Sequence, residues 1–340
     1  MLKLTEAEII ANWSTNEPIR VSVCCITYKQ DQYIEQAIDS FLMQKTTFPF
    51  EIIIGEDCGG DGTLAILAEY KKKYPKLIKV ITSEKNIGAN ANLLRVFNDA
   101  VGEYIAVCEG DDYWCDRDKL QIQYEYMENN NECSFVVHPA YSKADNNLLK
   151  SIWPCQSGTN FDVGFIMSAK GQFSPTSSYF FRKKIIYTLP DWFSAAPVGD
   201  FYIEVFASSL GRCDNIERYM SVYRLSAENS WSESLKNDRS GLRIIDTYKS
   251  NIFYLNKLIV AFPNYEHCIK EKIAHAEYAC AQGFLNAGDI SGFRKHIYNS
   301  KTTSWYDVFH VFFYFLRGSD YLVSLLYRIK KVLKIIFKRH

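Results

Sequence analysis

The stretch YIAVCEGDDYW, residues 104–114, decides the fold: a short apolar run delivers three carboxylates, set between a glycine and two aromatic rings, to one point. A run of this length and composition reads as a buried strand, so Glu109, Asp111 and Asp112 arrive together at its end. Carboxylates this close repel one another, and unless a cation sits among them some must hold a proton. Hard oxygen ligands on so few positions suit Mg2+ or Mn2+, which keep places for water and for substrate phosphates. An Asp-rich surface turn is the plainer reading of a DD pair. The buried strand that aims the acids weighs against it.

Working outward, residues 19 to about 138 alternate between β-branched runs and longer stretches of helical period, the pattern of βαβ units and a mostly parallel sheet. IRVSVCCIT is the first strand, FEIIIGED the second, LIKVITS the third and YIAVC the fourth. DQYIEQAIDSFLMQ is a helix with Ile34, Ala37, Ile38, Phe41 and Leu42 on one face and Asp31 as its cap. DGTLAILAEYKKKYP stops before Pro75, and NANLLRVFNDAVG closes at Gly102. The strands end at Thr27 and Tyr28, at Glu56 and Asp57, at Asn86 and Gly88, and at the acidic cluster. Parallel strands place all these ends on one edge, where open α/β sheets bind ligands.

GEDCGGDGT partly mimics a calcium loop, yet Gly59 and Ala68 stand where further oxygen ligands are needed. It lacks a P-loop lysine and is no GxGxxG. A glycine-rich turn with acids suits hydrogen bonding to a base or ribose; for Asp61, capping of the next helix is the equal alternative.

Taken in order, TYKQ, EDCGGDGT, NIG and EGDDYW resemble the nucleotide-binding half of family 2 inverting glycosyltransferases of the GT-A fold. The match covers residues 19 to about 120 and runs more loosely to about 230. The resemblance implies that Asp57 hydrogen-bonds a nucleotide base flanked by Thr27 and Tyr28. It also implies that Glu109, Gly110 and Asp111 stand at the DxD motif, with Asp111 and Glu109 on the metal, Mn2+ or Mg2+. Asn86, Gly88, Asn92 and Asp112 join the donor contacts. Such enzymes carry an acid at a later helix start, which PVGDFYIEVF supplies as Asp200, the base that takes the acceptor hydroxyl proton. Asp200 as a helix N-cap is compatible with that role. Three positions depart from the family: Glu109 replaces Asp, Asn92 and Leu93 stand where an arginine is common, and Leu225 and Ser226 where a histidine often follows the VYR strand.

The fold expected is thus an α/β GT-A domain over residues 1–235, with a nucleotide-binding half at about 19–138 and an acceptor half at about 139–235. A helical C-terminal region over 236–340 follows. SPTSSYFFRKK places Thr176 and Ser177 either near the acceptor or in a strand of alternating polarity. The last segment, DYLVSLLYRIKKVLKIIFKRH, sets Leu322, Leu325, Leu326, Ile329, Val332, Leu333 and Ile336 at helical spacing beside Arg328, Lys330, Lys331, Lys334, Lys338 and Arg339. Three readings compete for this basic amphipathic helix: packing on the preceding helices, an anionic membrane, and a protein with an acidic groove.

The 39 basic and 39 acidic residues cancel, which argues against nucleic acid as a partner. Ten cysteines without a CxxC pair, and no basic apolar leader, read as a reduced cytoplasmic protein. The expectation is a metal-dependent transferase taking a UDP-sugar to a glycan or lipid-linked acceptor in cell-surface polysaccharide synthesis, peripheral at the inner face of the membrane. A nucleotidyltransferase and a catalytically silent sugar-nucleotide-binding scaffold are the rivals.

Overall fold

The computed structural model describes residues 4–14, 17–144, 147–149, 153, 158, 160–225, 227–228, 230–238 and 240–337. Ser226, Lys338 and Arg339, singled out above, lie outside the described residues.

The chain divides into two compact units, residues 1–166 with 171–233, and residues 167–170 with 234–340. The first is built on strands β1 (Val21–Thr27), β2 (Phe50–Glu56), β3 (Ile78–Thr82) and β4 (Tyr104–Val107), all parallel to their sheet neighbours among the four. Then come β5 (Tyr113–Trp114), β6 (Cys133–Val137), β7 (Ala140–Ala144), β8 (Asn147–Leu149), β9 (Phe180–Arg182), β10 (Arg212–Asn215) and β11 (Ser221–Arg224). The seven-stranded sheet has the order β10-β6-β9-β4-β1-β2-β3, and a smaller sheet the order β5-β11-β7-β8. β9 runs antiparallel between β4 and β6, so the sheet is mixed on this side.

Nearly every residue of β1 is buried, because helices cover both faces of a parallel sheet. Ile34, Ala37, Ile38 and Phe41 of the helix Ile34–Leu42 pack with Val21, Val23 and Cys25 in one core. Burying each large apolar side chain of this set contributes about 1.5–3 kcal/mol.

Two expected caps are placed otherwise. The helix begins at Ile34 with Tyr33 as N-cap and no side-chain cap, while Asp31 accepts the N–H of Gly62 at 3.3 Å. Asp31 therefore joins the two turns after β1 and β2 instead of capping its own helix. Gly102 lies beyond the end of Ala89–Asp99, which Ala100 caps. A Cβ on Gly102 would stand 2.6 Å from Ser22 N, so this glycine is needed for close approach to β1. The strand expected within SSYFFRKK shrinks to β9, with a 3₁₀ turn at Thr176–Ser178 before it.

The second unit is helical, with helices at Leu242–Ala261, Glu266–Asn286, Ile290–Asn299, Val308–Leu316 and Asp320–Phe337. Tyr278, Leu285, Phe293, Ile297, Phe313 and Val323 form its core. Glu277 and His296 make a buried pair there at 2.6 Å.

Candidate active site

Four parallel strands put Thr27, Glu56, Thr82 and Val107 at one edge of the sheet. Two backbone bonds splice their continuations together: Asp57 N–H donates to Thr27 O at 3.1 Å, and Gly110 N–H to Ile26 O at 3.0 Å. Gly110 fits because a Cβ there would stand 2.6 Å from Gln30 Oε1 and 2.9 Å from Thr27 Oγ1. The motif thus lies flat against the end of β1.

Glu109 and Asp111 are partly exposed and Asp112 is buried. Burial, then the charges of Asp111, Asp200 and Asp112, push the Glu109 carboxyl well above the usual carboxylate range. Burial also raises Asp111 against the opposing pull of Arg224 and a hydrogen bond with Gln30. Asp200, the first residue of the helix Asp200–Ser209, is raised by burial, while hydrogen bonds from its own N–H and from Thr176 lower it. The structure therefore brings the charge of Asp200 to bear on Glu109, although about ninety residues separate them in the sequence.

Arg224 reads in the sequence only as the end of a strand, yet it bonds two of the three acids of this cluster. Pairing of β11 with β5 registers Ser221 on Trp114 and Val222 on Tyr113. Arg224 then donates its backbone N–H to Asp112 Oδ1 at 2.9 Å and its guanidinium to Asp111 O and to Gln36 Oε1. The signal available beforehand was a lone arginine closing an apolar strand.

The other donor candidates separate by depth. Tyr28 is half-exposed, with Lys29 Nζ 5.3 Å from its ring centroid. Asp57 is buried and accepts from Ser83 Oγ, Ile87 N–H and Gly88 N–H, each at 2.9 Å. Asn86 is exposed and accepts the Gly88 N–H at 3.0 Å. Asn92, by contrast, is committed beneath the cleft: its Nδ2 donates to Gly55 O at 2.7 Å and its Oδ1 accepts from Arg95 at 2.6 Å. It ties a helix to β2 and leaves no group for a donor. Asp61 bonds the Thr63 N–H and hydroxyl and the Asp31 N–H, so its carboxylate holds turns together. A hollow of about 320 Å³ beside it is lined by Lys29, Asp31, Gln32, Tyr33, Asp61 and Glu228. Three acids against one lysine make it unsuited to a diphosphate.

Whether a divalent cation fits rests on the oxygens present. Thr27 Oγ1, Gln30 Oε1 and Asp112 Oδ2 are buried without a hydrogen-bond partner among the described residues. Glu109 and Asp111 add carboxylates whose charges conflict. Among the described residues no three His, Cys, Asp or Glu side chains are grouped so as to hold a metal ion by themselves. This is an incomplete set of hard oxygens, the kind that Mg2+ or Mn2+ completes with water and phosphate oxygens. The residues fit such an ion.

An open, mostly parallel sheet with an acidic cluster beyond the carboxyl ends of its strands has that cluster where α/β folds of this kind bind ligands. Residues 22–188 match the family model described as Glycosyl transferase family 2. An uncharacterized protein of Mycobacterium tuberculosis is 34% identical over 220 residues, which is 64% of this chain and 62% of the relative. The putative teichuronic acid biosynthesis glycosyltransferase TuaG of Bacillus subtilis is 36% identical over 155 residues, 45% of this chain and 59% of TuaG. Among solved structures, S. aureus TarS 1–349 in complex with UDP-GlcNAc is similar at a TM-score of 0.60, covering 83% of this chain and 82% of that one. At 16% identity that likeness concerns the fold, which is GT-A. Over residues 22–188 the chain is thus similar to glycosyltransferase family 2. It spans about 62% of the length of the mycobacterial relatives it matches.

Proposed function

We propose that the protein is a metal-dependent inverting glycosyltransferase that moves a sugar from a UDP-sugar to a hydroxyl group of a glycan or lipid-linked acceptor in cell-surface polysaccharide synthesis. One observation carries the reading: burial raises the proton affinities of Glu109, Asp111 and Asp200, acids from remote parts of the chain, and the charges of Asp111 and Asp200 raise that of Glu109 further. The UDP-GlcNAc bound to TarS and the teichuronic acid named for TuaG support the donor class and the polysaccharide setting.

Asp111 and Glu109 would hold Mn2+ or Mg2+, which when bound stabilises charge on a departing diphosphate. Thr27, Tyr28 and Asp57 face the nucleoside end, Tyr28 offering a half-exposed ring and Asp57 its remaining lone pair. Asp200 accepts the proton of the acceptor hydroxyl as its oxygen attacks the anomeric carbon, a contribution of about 10² to 10⁴ in rate. Its raised affinity for protons makes it a stronger base than an ordinary carboxylate. Attack opposite the leaving group inverts the anomeric centre. Work at the inner face of the cell membrane, with the terminal helix on the lipid surface, brings the site to a lipid-linked acceptor.

The test is a thermal-shift panel of UDP-GlcNAc, UDP-glucose and GDP-mannose with and without Mn2+, followed by UDP release from the donor that binds. A donor at about 100 times its dissociation constant adds about 2.7 kcal/mol of stability. A shift only with Mn2+, and Asp200→Asn that binds donor but transfers nothing, are the results expected. Metal-independent binding across the panel, or full transfer by the variant, removes the reading.

A further inference from the structure

Glu204 lies one helical turn after Asp200, so the two carboxylates project from one side of the helix Asp200–Ser209. Asp200 reaches the cleft, whereas Glu204 is fully buried behind it. Three donors converge on Glu204: Ser174 N–H at 2.9 Å and Tyr179 Oη at 2.7 Å on Oε1, and Phe173 N–H at 3.2 Å on Oε2. The turn held in this way contains Thr176, whose side chain holds the proton affinity of Asp200 down against burial. Gln172 Nε2 braces it from outside, 3.0 Å from Thr176 Oγ1 and 3.3 Å from Tyr179 Oη. Ser177 O of the same turn accepts from Trp114 Nε1 at 3.0 Å, so the turn also touches the strand that follows the acidic motif.

A carboxylate is the side chain this junction needs. It accepts at every position, whereas an amide of the same shape turns two of its own N–H groups toward donors, and an aliphatic residue leaves three buried donors unpaired. Burial pushes the Glu204 carboxyl up to about 7 even against those three hydrogen bonds. A group so costly to bury, at that depth, is explained by what it holds in place.

We infer that Glu204 is a positioning residue for sugar transfer: it fixes the Phe173–Tyr179 turn so that the Thr176 hydroxyl is presented to Asp200 and keeps that carboxylate aimed into the cleft. The inference rests on the reading of Asp200 as the base.

Carboxyl ¹³C NMR of aspartate-labelled full-length protein follows the titration of Asp200 without any donor, with Asp200→Asn assigning the signal. Thr176 lowers the proton affinity of Asp200, so Thr176→Val raises the titration midpoint. Glu204→Gln has two opposed consequences. Loss of a nearby negative charge lowers the midpoint, while release of the turn withdraws Thr176 and raises it. Positioning requires the rise, with Tyr179→Phe moving it the same way by less. UDP release from UDP-GlcNAc with Mn2+ then falls about tenfold in kcat for Glu204→Gln at unchanged donor KM. A midpoint that stays or falls in Glu204→Gln overturns the inference. Should that variant not fold, an unchanged midpoint in Tyr179→Phe does so. Full transfer by Asp200→Asn is a separate failure, of the base assignment, which the titration does not share.

Discussion

Asp57 Oδ2 accepts the Gly88 N–H at 2.9 Å while Oδ1 accepts that of Ile87 at the same distance, so the acid following β2 holds the turn that opens the helix Ala89–Asp99. Gly88 makes this turn at φ +91°, a conformation that side chains with a Cβ rarely adopt. The residue proposed to read the nucleotide is thus also the one that shapes the cleft wall beside it.

Asp57→Asn sets an amide N–H₂ against at least one of three donors. Leaving one buried donor unpaired costs about 1–3 kcal/mol. The variant is expected to melt lower than the parent and to lose most of its UDP-induced thermal shift. A melting temperature equal to the parent's contradicts this account.

Gly199 directly precedes Asp200, and a Cβ on it would stand 2.9 Å from Asn90 Cγ. Asn90 in turn donates to Ala196 O at 2.7 Å, pinning the segment that leads into the Asp200 helix. Gly199→Ala forces Asn90 aside and shifts the base. A misplacement on the order of 1 Å costs about 10²-fold, so kcat falls while the thermal shift with UDP and Mn2+ persists. Asn90→Ala combined with Gly199→Ala restores part of the rate, since the two residues share one contact. A double variant as slow as the product of the single losses rules out this coupling.

How far the sequence carries depends on whether a residue's partners are local. β1, β2, β3, β4 and their helices were readable because buried strands and amphipathic helices have different periods. Asp31 does not cap the helix that follows it because its partner, Gly62 N–H, lies on another turn. Asn92 looked available because polar residues on a helix normally face water, yet it is buried against Gly55 of β2. Arg224, Asn90 and Glu204 acquire their roles only through contacts across twenty-five or more residues of chain, which no spacing rule anticipates. β9 had the opposite difficulty: its antiparallel insertion between β4 and β6 leaves no mark in a run of three residues.

Glu109 gives a pH dependence whose sign is fixed. Its folded-state proton affinity is raised by burial and by Asp111, Asp200 and Asp112, so without metal the folded protein binds more protons than the unfolded chain. Stability from this group is then full below the ordinary glutamate value of about 4.3 and is lost as pH rises through the raised one. Glu109→Gln is expected to raise the melting temperature of the metal-free protein at neutral pH, by a margin that shrinks toward that lower limit. The same variant loses the stabilisation by Mn2+ that the parent gains as pH rises. Melting curves against pH, with and without Mn2+, check both halves, and a variant less stable than the metal-free parent at neutral pH refutes the repulsion.

The terminal helix Asp320–Phe337 divides its charges between two purposes. Lys330 turns inward, with Nζ 2.7 Å from Tyr278 Oη, 2.8 Å from Gln282 Oε1 and 3.3 Å from Asp307 Oδ2. Arg328 and Lys331 are exposed, beside an exposed stripe of Tyr321, Leu325, Ile329 and Val332. Among the described residues no helix is long and apolar enough to cross a membrane. An apolar stripe flanked by cations suits a helix lying among lipid headgroups, each exposed cation adding about 1 kcal/mol on an anionic surface. The full-length protein is expected to sediment with vesicles containing phosphatidylglycerol and to remain free of phosphatidylcholine vesicles. Arg328→Ala with Lys331→Ala weakens binding about thirtyfold, the product of two such terms, and Leu325→Glu with Ile329→Glu abolishes it without lowering the melting temperature. Lys330→Ala lowers the melting temperature instead, because it breaks the contacts with Tyr278 and Asp307. Light scattering decides against the membrane if the parent is a dimer that the Leu325 and Ile329 variants dissociate while no vesicle binds either form.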